Sequence, residues 1–592
     1  MTRRWVTPAY ALALVLAITA PLFAPGYLLL RDAVSTPRSY LSDEALGLGE
    51  SAPRALPQDF AVALASHLID GGVVVKALLI LGLWLAGWGA ARLASRVVPE
   101  AGPGGEFVAA TVAIWNPYVA ERLLQGHWSL LVGYGCLPWV AAAMLELRDS
   151  PRARWWPLVF WVALAGLTPT GLLLAAAVAV VCIAVPGDGR SRVACASVTC
   201  VVGVAVALPW LAASVVAHSL SSSQAGIAPF AARAEPALST LGSLAAFGGI
   251  WNSESVPGSR TTAFAVVGSA LLLAIVLVGL PTLRRRPAAM SLLGLALVAV
   301  VMPAAMATGP GMALVDAVVR ALPGVGVVRD GQKWVALAMP GYAVGAAGGV
   351  LTLTRWSMSR LREERQEAMS RLREERRAVP AYAVAAVCCV ALIAVLPDLA
   401  WGVGGKVAPV RYPSGWAAVA SRINADPRPV AVLPADTMRK FAWSGPAPVL
   451  DPLPRWVRAH VWSTGDLTIS GRTVVGEGTR ARRVQQLLLE GAAPSALAGA
   501  GVGWVVVESD SAGGIGSAAN TLTALPVVYR DADITLYRVG GDSAGASSVQ
   551  RAVMVSAHLV WLIVLAAGAA GSAVLTVRRR HAGQTAGATE DR

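Results

Sequence analysis

Long apolar runs alternate along this chain with short connections that hold most of its charge. An apolar run of about 18 residues or more reads as a membrane-crossing helix. Runs near or above that length fall at roughly 6–30, 72–94, 105–120, 128–147, 155–168, 170–186, 193–217, 262–281, 288–307, 334–354, 380–398 and 552–577. The pattern therefore predicts about twelve transmembrane helices. Residues 155–186 fit one long tilted helix or two short ones, and Thr168-Pro169-Thr170-Gly171 breaks the run in its middle, which favours two. The first run follows Thr2-Arg3-Arg4 and is long, without a small-x-small cleavage site, so it is expected to stay as a span.

After residue 398 the pattern changes. Val430-Ala431-Val432-Leu433 and Trp504-Val505-Val506-Val507 read as strands, 478–491 as an amphipathic helix and Ile534–Val539 as a late strand. The expected organisation is a transmembrane module over 1–398, an α/β domain over 399–550, a final span at 551–577 and a basic tail at 578–592. Three longer loops interrupt the module, at 31–71, 218–261 and 308–333. The fold class that follows is a polytopic α-helical membrane protein with a C-terminal extracytoplasmic α/β domain.

Composition agrees with this reading. Of 592 residues, 55% are hydrophobic and 14% charged, with a mean hydropathy of +0.59, far too apolar for a soluble protein of this length. The net charge of +14 comes without any nucleic-acid-binding module, so nucleic acid is not an expected partner. Arginines mark one side instead: Arg3/Arg4, Arg92/Arg96, Arg148/Arg152/Arg154, Arg190/Arg192, Arg284–Arg286, those of 355–377 and Arg578–Arg580. By the positive-inside rule this side is cytoplasmic, and both termini with it. The stretch 355–379 carries Met-Ser-Arg-Leu-Arg-Glu-Glu-Arg twice, at 358–365 and 369–376. That spacing suits a charged helix with internal Glu–Arg pairs and an arginine excess toward anionic membrane lipid. The six cysteines lie in or beside apolar runs and read as small buried hydrophobes rather than disulfides or metal ligands.

The expected spans hold almost no ionisable residue; Lys76 lies near an end. Ion-coupled carriers place such groups at membrane depth, so that class is disfavoured. No Walker A loop, dinucleotide fingerprint or HExxH is present. Polar residues gather instead where spans meet the outer loops. Leu30-Arg31-Asp32 follows the first span, then Ser42-Asp43-Glu44 and Pro57-Gln58-Asp59. A carboxylate at such an interface is expected to have a raised pKa, with Asp32 held at a set height by its helix. After the third span comes Trp115-Asn116-Pro117-Tyr118-Val119-Ala120-Glu121-Arg122-Leu123-Leu124-Gln125-Gly126-His127-Trp128. Asn-Pro ends the span, and Tyr118, Arg122 and Gln125 recur at helical spacing. Val328-Arg329-Asp330-Gly331-Gln332-Lys333-Trp334 enters the tenth span, with Arg329 and Lys333 four apart. Two cations on one helical face suit a lipid phosphate, and equally suit anchoring to lipid headgroups.

These elements in this order resemble the GT-C superfamily of polyprenyl-phosphate-sugar-dependent glycosyltransferases, especially actinobacterial cell-envelope arabinofuranosyl- and mannosyltransferases. Gly248-Gly249-Ile250-Trp251 resembles a further segment of those enzymes, and the likeness covers roughly residues 1–400. The resemblance implies transfer, with inversion, from a polyprenyl-phosphate sugar to a cell-envelope glycan or glycolipid. It implies Asp32 as first and Asp43 as second candidate base, and Arg122, Arg329 and Lys333 as donor-phosphate ligands. Asn116, Tyr118, Glu121, His127 and Trp251 would orient these groups or the sugar, and a divalent cation has a place at the leaving phosphate. Two other readings stay open: a non-catalytic relative that binds glycolipid or scaffolds envelope assembly, and a lipid or glycan translocator. In the α/β region, Trp416, Trp443, Trp456 and Trp462 are candidates to stack on acceptor sugars, or to pack a core.

Overall fold

The computed structural model describes residues 3–50, 54–216, 226–322, 325–363, 375–469, 472–509, 511 and 513–590. Among these, eight helices are long and apolar enough to cross a membrane, and nine if one pair bent by 73° counts as a single span. The chain is a multi-pass helical membrane protein with fewer full-length crossings than the twelve expected. The difference lies in length rather than in helicity. Every expected span falls on a helix, but α3 (Gly102–Ile114), α6 (Trp156–Ala165) and α7 (Pro169–Ala184) are 13, 10 and 16 residues long. At about 1.5 Å per residue these fall short of a hydrocarbon core about 30 Å thick.

The full-length helices are α1 (Arg3–Thr19, continued by a 3-10 turn to Phe23), α2 (Gly71–Val97), α5 (Trp128–Asp149), α8 (Arg192–Val216), α9 (Phe264–Val278 and the turn after it), α10 (Pro287–Met306), α11 (Ala338–Glu363) and α15 (Ser548–Glu590). The bent pair begins with α12 (Glu375–Ala394). The short interfacial helix α4 (Pro117–Leu124) follows α3. In α5, and in the span that ends in α11, 94% of the apolar window is buried, against 11% in α15, so the first two are central and α15 lies at the periphery. Residues 364–374, which hold half of the repeated Arg-Glu motif, lie outside the described residues. Five cysteines are buried as expected, whereas Cys200 is exposed on α8.

Between apolar helices in lipid, association rests on close packing rather than on a hydrophobic drive, and small residues permit it. The α2–α5 contact shows this. A Cβ on Gly82 would come within 2.8 Å of the Val132 Cα, and one on Gly135 would strike the Gly82 carbonyl oxygen.

The α/β region is a four-stranded sheet in the order β3 (Val430–Leu433), β4 (Trp504–Glu508), β6 (Ile534–Arg538), β5 (Val527–Arg530). β3 runs parallel to β4, with Val430 opposite Trp504, and the other pairings are antiparallel. Alternate residues serve opposite faces, as the strand period requires. Val430 and Val432 pack with Trp416, Val419 and Ile423 of α13 (Ser414–Ala425), while Ala431 and Leu433 pack with Val484 and Leu488 of α14 (Thr479–Leu489). The expected strands and amphipathic helix are therefore present. Leu29 and Val34, on either side of Arg31 and Asp32, are buried in the same core as Trp416. Ion pairs tie the first loop to the α/β region at Arg54–Glu477 (2.7 Å) and Arg455–Asp59 (3.2 Å), and His460 Nδ1 lies 2.9 Å from a Glu44 carboxylate oxygen.

Gly135→Ala is expected to destabilise the protein by about 1–3 kcal/mol through forced separation of α2 and α5. Gly294→Ala, where an added Cβ meets nothing within 4 Å, should leave thermal unfolding in detergent unchanged or slightly raised. Equal melting temperatures for the two variants would refute the close-packing account.

Candidate functional site

A cavity of about 1450 Å³ opens where the ends of α2, α5, α7 and α8 meet the first loop, the 3-10 segment Gly331–Leu337 and the α/β region. Its wall includes Asp32, His127, Trp251, Arg329 and Lys333.

Asp32 reaches the cavity from the tip of a two-residue hairpin. β1 (Leu29–Leu30) pairs antiparallel with β2 (Ala33–Val34), Leu30 opposite Ala33, which leaves Arg31 and Asp32 as the connection. Such tight connections need a positive φ at a central residue. Here Arg31 adopts it, at +49°, a conformation that costs a non-glycine residue about 1–2 kcal/mol. Neighbouring segments hold it there. Arg31 exchanges backbone hydrogen bonds with Pro448 (3.1 Å) and Leu450 (2.9 Å), and its buried guanidinium donates to the carbonyls of Leu124 (2.8 Å) and Glu254 (3.1 Å). Gly126, at φ +82°, sits against the tip; a Cβ there would strike the Leu30 carbonyl oxygen and the Ala33 nitrogen. A hairpin therefore sets the height of Asp32, not the helix expected from sequence.

The Asp32 Oδ2 atom accepts from Gln125 Nε2 (3.0 Å) and His127 Nε2 (2.9 Å). Burial pushes this carboxyl up, but His127, Gln125 and the Lys333 charge outweigh it and hold the pKa below the ordinary value. The raised pKa expected for an interfacial acid is not what the surroundings produce. Asp43 is elsewhere. It pairs with Arg551 at 2.6 and 2.8 Å outside the cavity wall, and its neighbour Glu44 lines the cavity instead. Burial opposes ionisation of Asp43, yet Arg551 and the Ala546 amide hold its pKa low.

α4 gathers the polar set that follows the third expected span, but turns most of it inward. Asn116 caps the helix through Val119 N (3.0 Å) and donates to Val112 O and the Tyr134 hydroxyl. The Tyr118 hydroxyl donates to Lys333 O (3.2 Å), and Glu121 accepts from the amides of Gly249 and Ile250 (3.2 Å each) and from Gln332 Nε2 (2.9 Å). Burial, then the nearby Glu235, push the Glu121 carboxyl well above the usual range. Arg122, wholly buried, grips Asp330 with both terminal nitrogens (2.7 and 3.1 Å) and also donates to Gln332 Oε1. Against the opposing effect of burial, Arg122 and Lys333 hold the Asp330 carboxyl at about 2. Arg122 is thus not a cavity-facing cation; its charge is spent on Asp330.

Arg329 and Lys333 do face the cavity, though not from one helical face. Arg329 lies before the 3-10 segment with its guanidinium over the Phe230 ring (5.2 Å), and Lys333 lies within the segment, its Nζ 3.9 Å from Asp330. Trp251 lies edge-on to Phe230 at 5.1 Å. Of the four α/β tryptophans, Trp416, Trp443 and Trp456 form a core cluster with Tyr412 and Phe441, and only Trp462 reaches the cavity wall. Among the described residues no three His, Cys, Asp or Glu side chains converge as metal ligands. At Asp32 one carboxylate and one imidazole meet, and Gln125 presents an N–H rather than its oxygen, so this set does not fit a resident divalent cation. Asp330, Gln332 and Phe230 were not singled out from sequence; the signal available was that Asp330 sits between two cations.

The helical bundle and the mixed sheet packed against its first hairpin share their fold with solved structures of an arabinofuranosyltransferase. The cryo-EM structure of arabinofuranosyltransferase AftD from Mycobacteria matches with a TM-score of 0.59 and 19% identity, covering 92% of this chain and 40% of that one. Two classes of a mutant of that enzyme match with TM-scores of 0.55 and 0.53, at 18% and 17% identity, each over 92% of this chain and 42% of theirs. The chain spans about two-fifths of the length of these structures, and at such identity the likeness is one of fold. No family model and no curated protein matches.

Gly126→Ala is expected to cost at least about 1 kcal/mol, since alanine is strained at positive φ and its methyl group would displace the hairpin tip. Chemical denaturation in detergent measures this, and wild-type stability in the variant would contradict the contact.

Proposed function

We propose that this chain is a GT-C membrane glycosyltransferase that moves a sugar from a polyprenyl-phosphate donor to a hydroxyl of a cell-envelope glycan or glycolipid. Transfer takes place on the extracytoplasmic side, with residues 399–550 as an extracytoplasmic α/β domain beside the acceptor path. The observation that carries the reading is a single one: an ionised carboxylate shares a cavity with two cations that its acids do not claim closely. Asp32 Oδ2 is occupied, while Oδ1 makes no hydrogen bond to the described residues. Arg329 has no ion pair among them, and Lys333 stands 3.9 Å from its nearest carboxylate.

In the proposed reaction Oδ1 takes the proton of the acceptor hydroxyl as its oxygen bonds to the anomeric carbon. The bond from that carbon to the phosphate oxygen breaks with its electron pair, so one displacement inverts the centre. Lys333 and Arg329 meet the charge that develops on the departing polyprenyl phosphate. Phe230 and Trp251 offer apolar surface to the sugar. The apolar helix ends around the cavity give the lipid tail a path from the membrane.

Asp32→Asn in proteoliposomes with radiolabelled polyprenyl-phosphate sugars is expected to slow transfer by about 10²–10⁴-fold, the usual range for loss of a general base. Asp43→Asn, remote from the cavity, should stay within a few-fold of wild type. Full transfer by the Asp32 variant would remove the base from the scheme. Lys333→Ala is expected to raise the donor KM with a smaller effect on acceptor KM.

A further inference from the structure

The geometry assigns Arg122 and Asp330 as positioning residues that fix the proton of His127 on Nε2 and so aim Oδ1 of Asp32 at the acceptor. The assignment rests on reading Asp32 as the base. Arg122 touches no cavity space, so it acts only through His127.

The argument begins with donors and acceptors. A guanidinium has N–H donors and no acceptor. Arg122 Nη1 lies 3.0 Å from His127 Nδ1, so Nδ1 must accept, and the ring proton of a neutral imidazole is then on Nε2. Nε2 faces Asp32 Oδ2 at 2.9 Å, where a donor is required. Two independent partners therefore select the same tautomer. Gln125 supplies the second donor to Oδ2, and its own carbonyl oxygen is held by Asn252 Nδ2 and Ser255 Oγ, each at 2.8 Å. With Oδ2 saturated by two donors, Oδ1 is the oxygen left for a proton from the acceptor.

Arg122 can hold this role because it cannot turn. Its fork is clamped on Asp330, and Gln332 takes a further N–H. Charge works in the same direction. The groups facing His127 are Asp32 from the hairpin, Arg122 from α4, and Lys333 and Asp330 from the 3-10 segment and the residue before it. Burial lowers the imidazole pKa, Asp32 raises it, and Arg122 with Lys333 lowers it; the sum lies below the ordinary value. His127 therefore stays a neutral donor near neutral pH. Protonated, it would hold Asp32 as an ion pair and weaken it as a base.

The test uses the full-length protein with its six histidines labelled with ¹⁵N, His127 being assigned by loss of its signal in His127→Gln. In wild type at neutral pH the ring should show the Nε2–H tautomer; an Nδ1–H tautomer or an imidazolium would overturn the assignment without any kinetic measurement. The double variant Arg122→Gln/Asp330→Asn removes both charges and leaves neither buried alone. Arg122 is the nearer to His127, so removing the pair should raise the imidazole pKa. The variant should show mixed tautomers, a kcat at least about tenfold lower and an acid limb of kcat moved to higher pH. A donor KM raised tenfold or more with an unmoved pH profile would overturn the proposal and make Arg122 a donor ligand. Should wild type transfer no sugar, the ring spectrum alone decides the tautomer, and the base reading falls separately.

Discussion

One buried ion pair, Arg122 with Asp330, joins chain segments 208 residues apart at the centre of the site. Removing two such charges from water costs several kcal/mol per ion, and attraction offsets this only with good geometry and further hydrogen bonds. Both conditions hold here. The contact is bidentate, Gln332 takes another arginine N–H, and His127 Nδ1 takes one more. Both terminal nitrogens of Arg122 are fully engaged, its Nε alone lacking a partner among the described residues, so α4 and the entry to α11 are locked to each other and His127, beside that lock, inherits a fixed position. Breaking one partner alone would leave a buried charge poorly compensated, Asp330 having only Lys333 at 3.9 Å, so the pair holds the site's architecture more than it adds net stability.

The same logic of borrowed rigidity applies to the hairpin. Two-residue strands have little stability of their own. Leu29 and Val34 are buried in the core that contains Trp416 and Phe441, and the positive φ of Arg31 persists because backbone bonds from Pro448 and Leu450 surround it. The base proposed for the reaction is thus placed by the α/β region as much as by the membrane helices.

Much of the fold was legible in the chain. Long apolar runs marked the helices, and short continuous apolar runs at 430–433 and 504–507 marked strands that are buried on both faces. Helix length was less legible, because a run such as 105–120 continues apolar through Asn116-Pro117, where the structure breaks it into α3 and α4. At the site, sequence placed polar residues near one another without saying which face inward. Arg122 looks like a ligand until Asp330 is seen to claim it, and Asp43 looks like a base until Arg551, from the far end of the chain, takes it. The pKa of Asp32 was misjudged for the same reason: interface burial is visible in sequence, but two donors arriving from a separate segment are not. Trp416, Trp443 and Trp456 pack in the core of the α/β region because a small mixed sheet needs large apolar side chains to fill it.

The shared core of Leu29, Val34 and the α/β sheet bears on how the protein is made. The hairpin is synthesised first, yet its packing partners extend to Ile534 and Leu536, some five hundred residues later. Contacts of such long sequence separation close late in folding. While the ribosome works through the intervening helices, the segment bearing Asp32 has no complete partner to pack against. The membrane bundle can assemble progressively, but the Asp32 hairpin acquires its support only once the last strand of the sheet has been delivered. A chain interrupted before the α/β region would carry the acid without the framework that aims it.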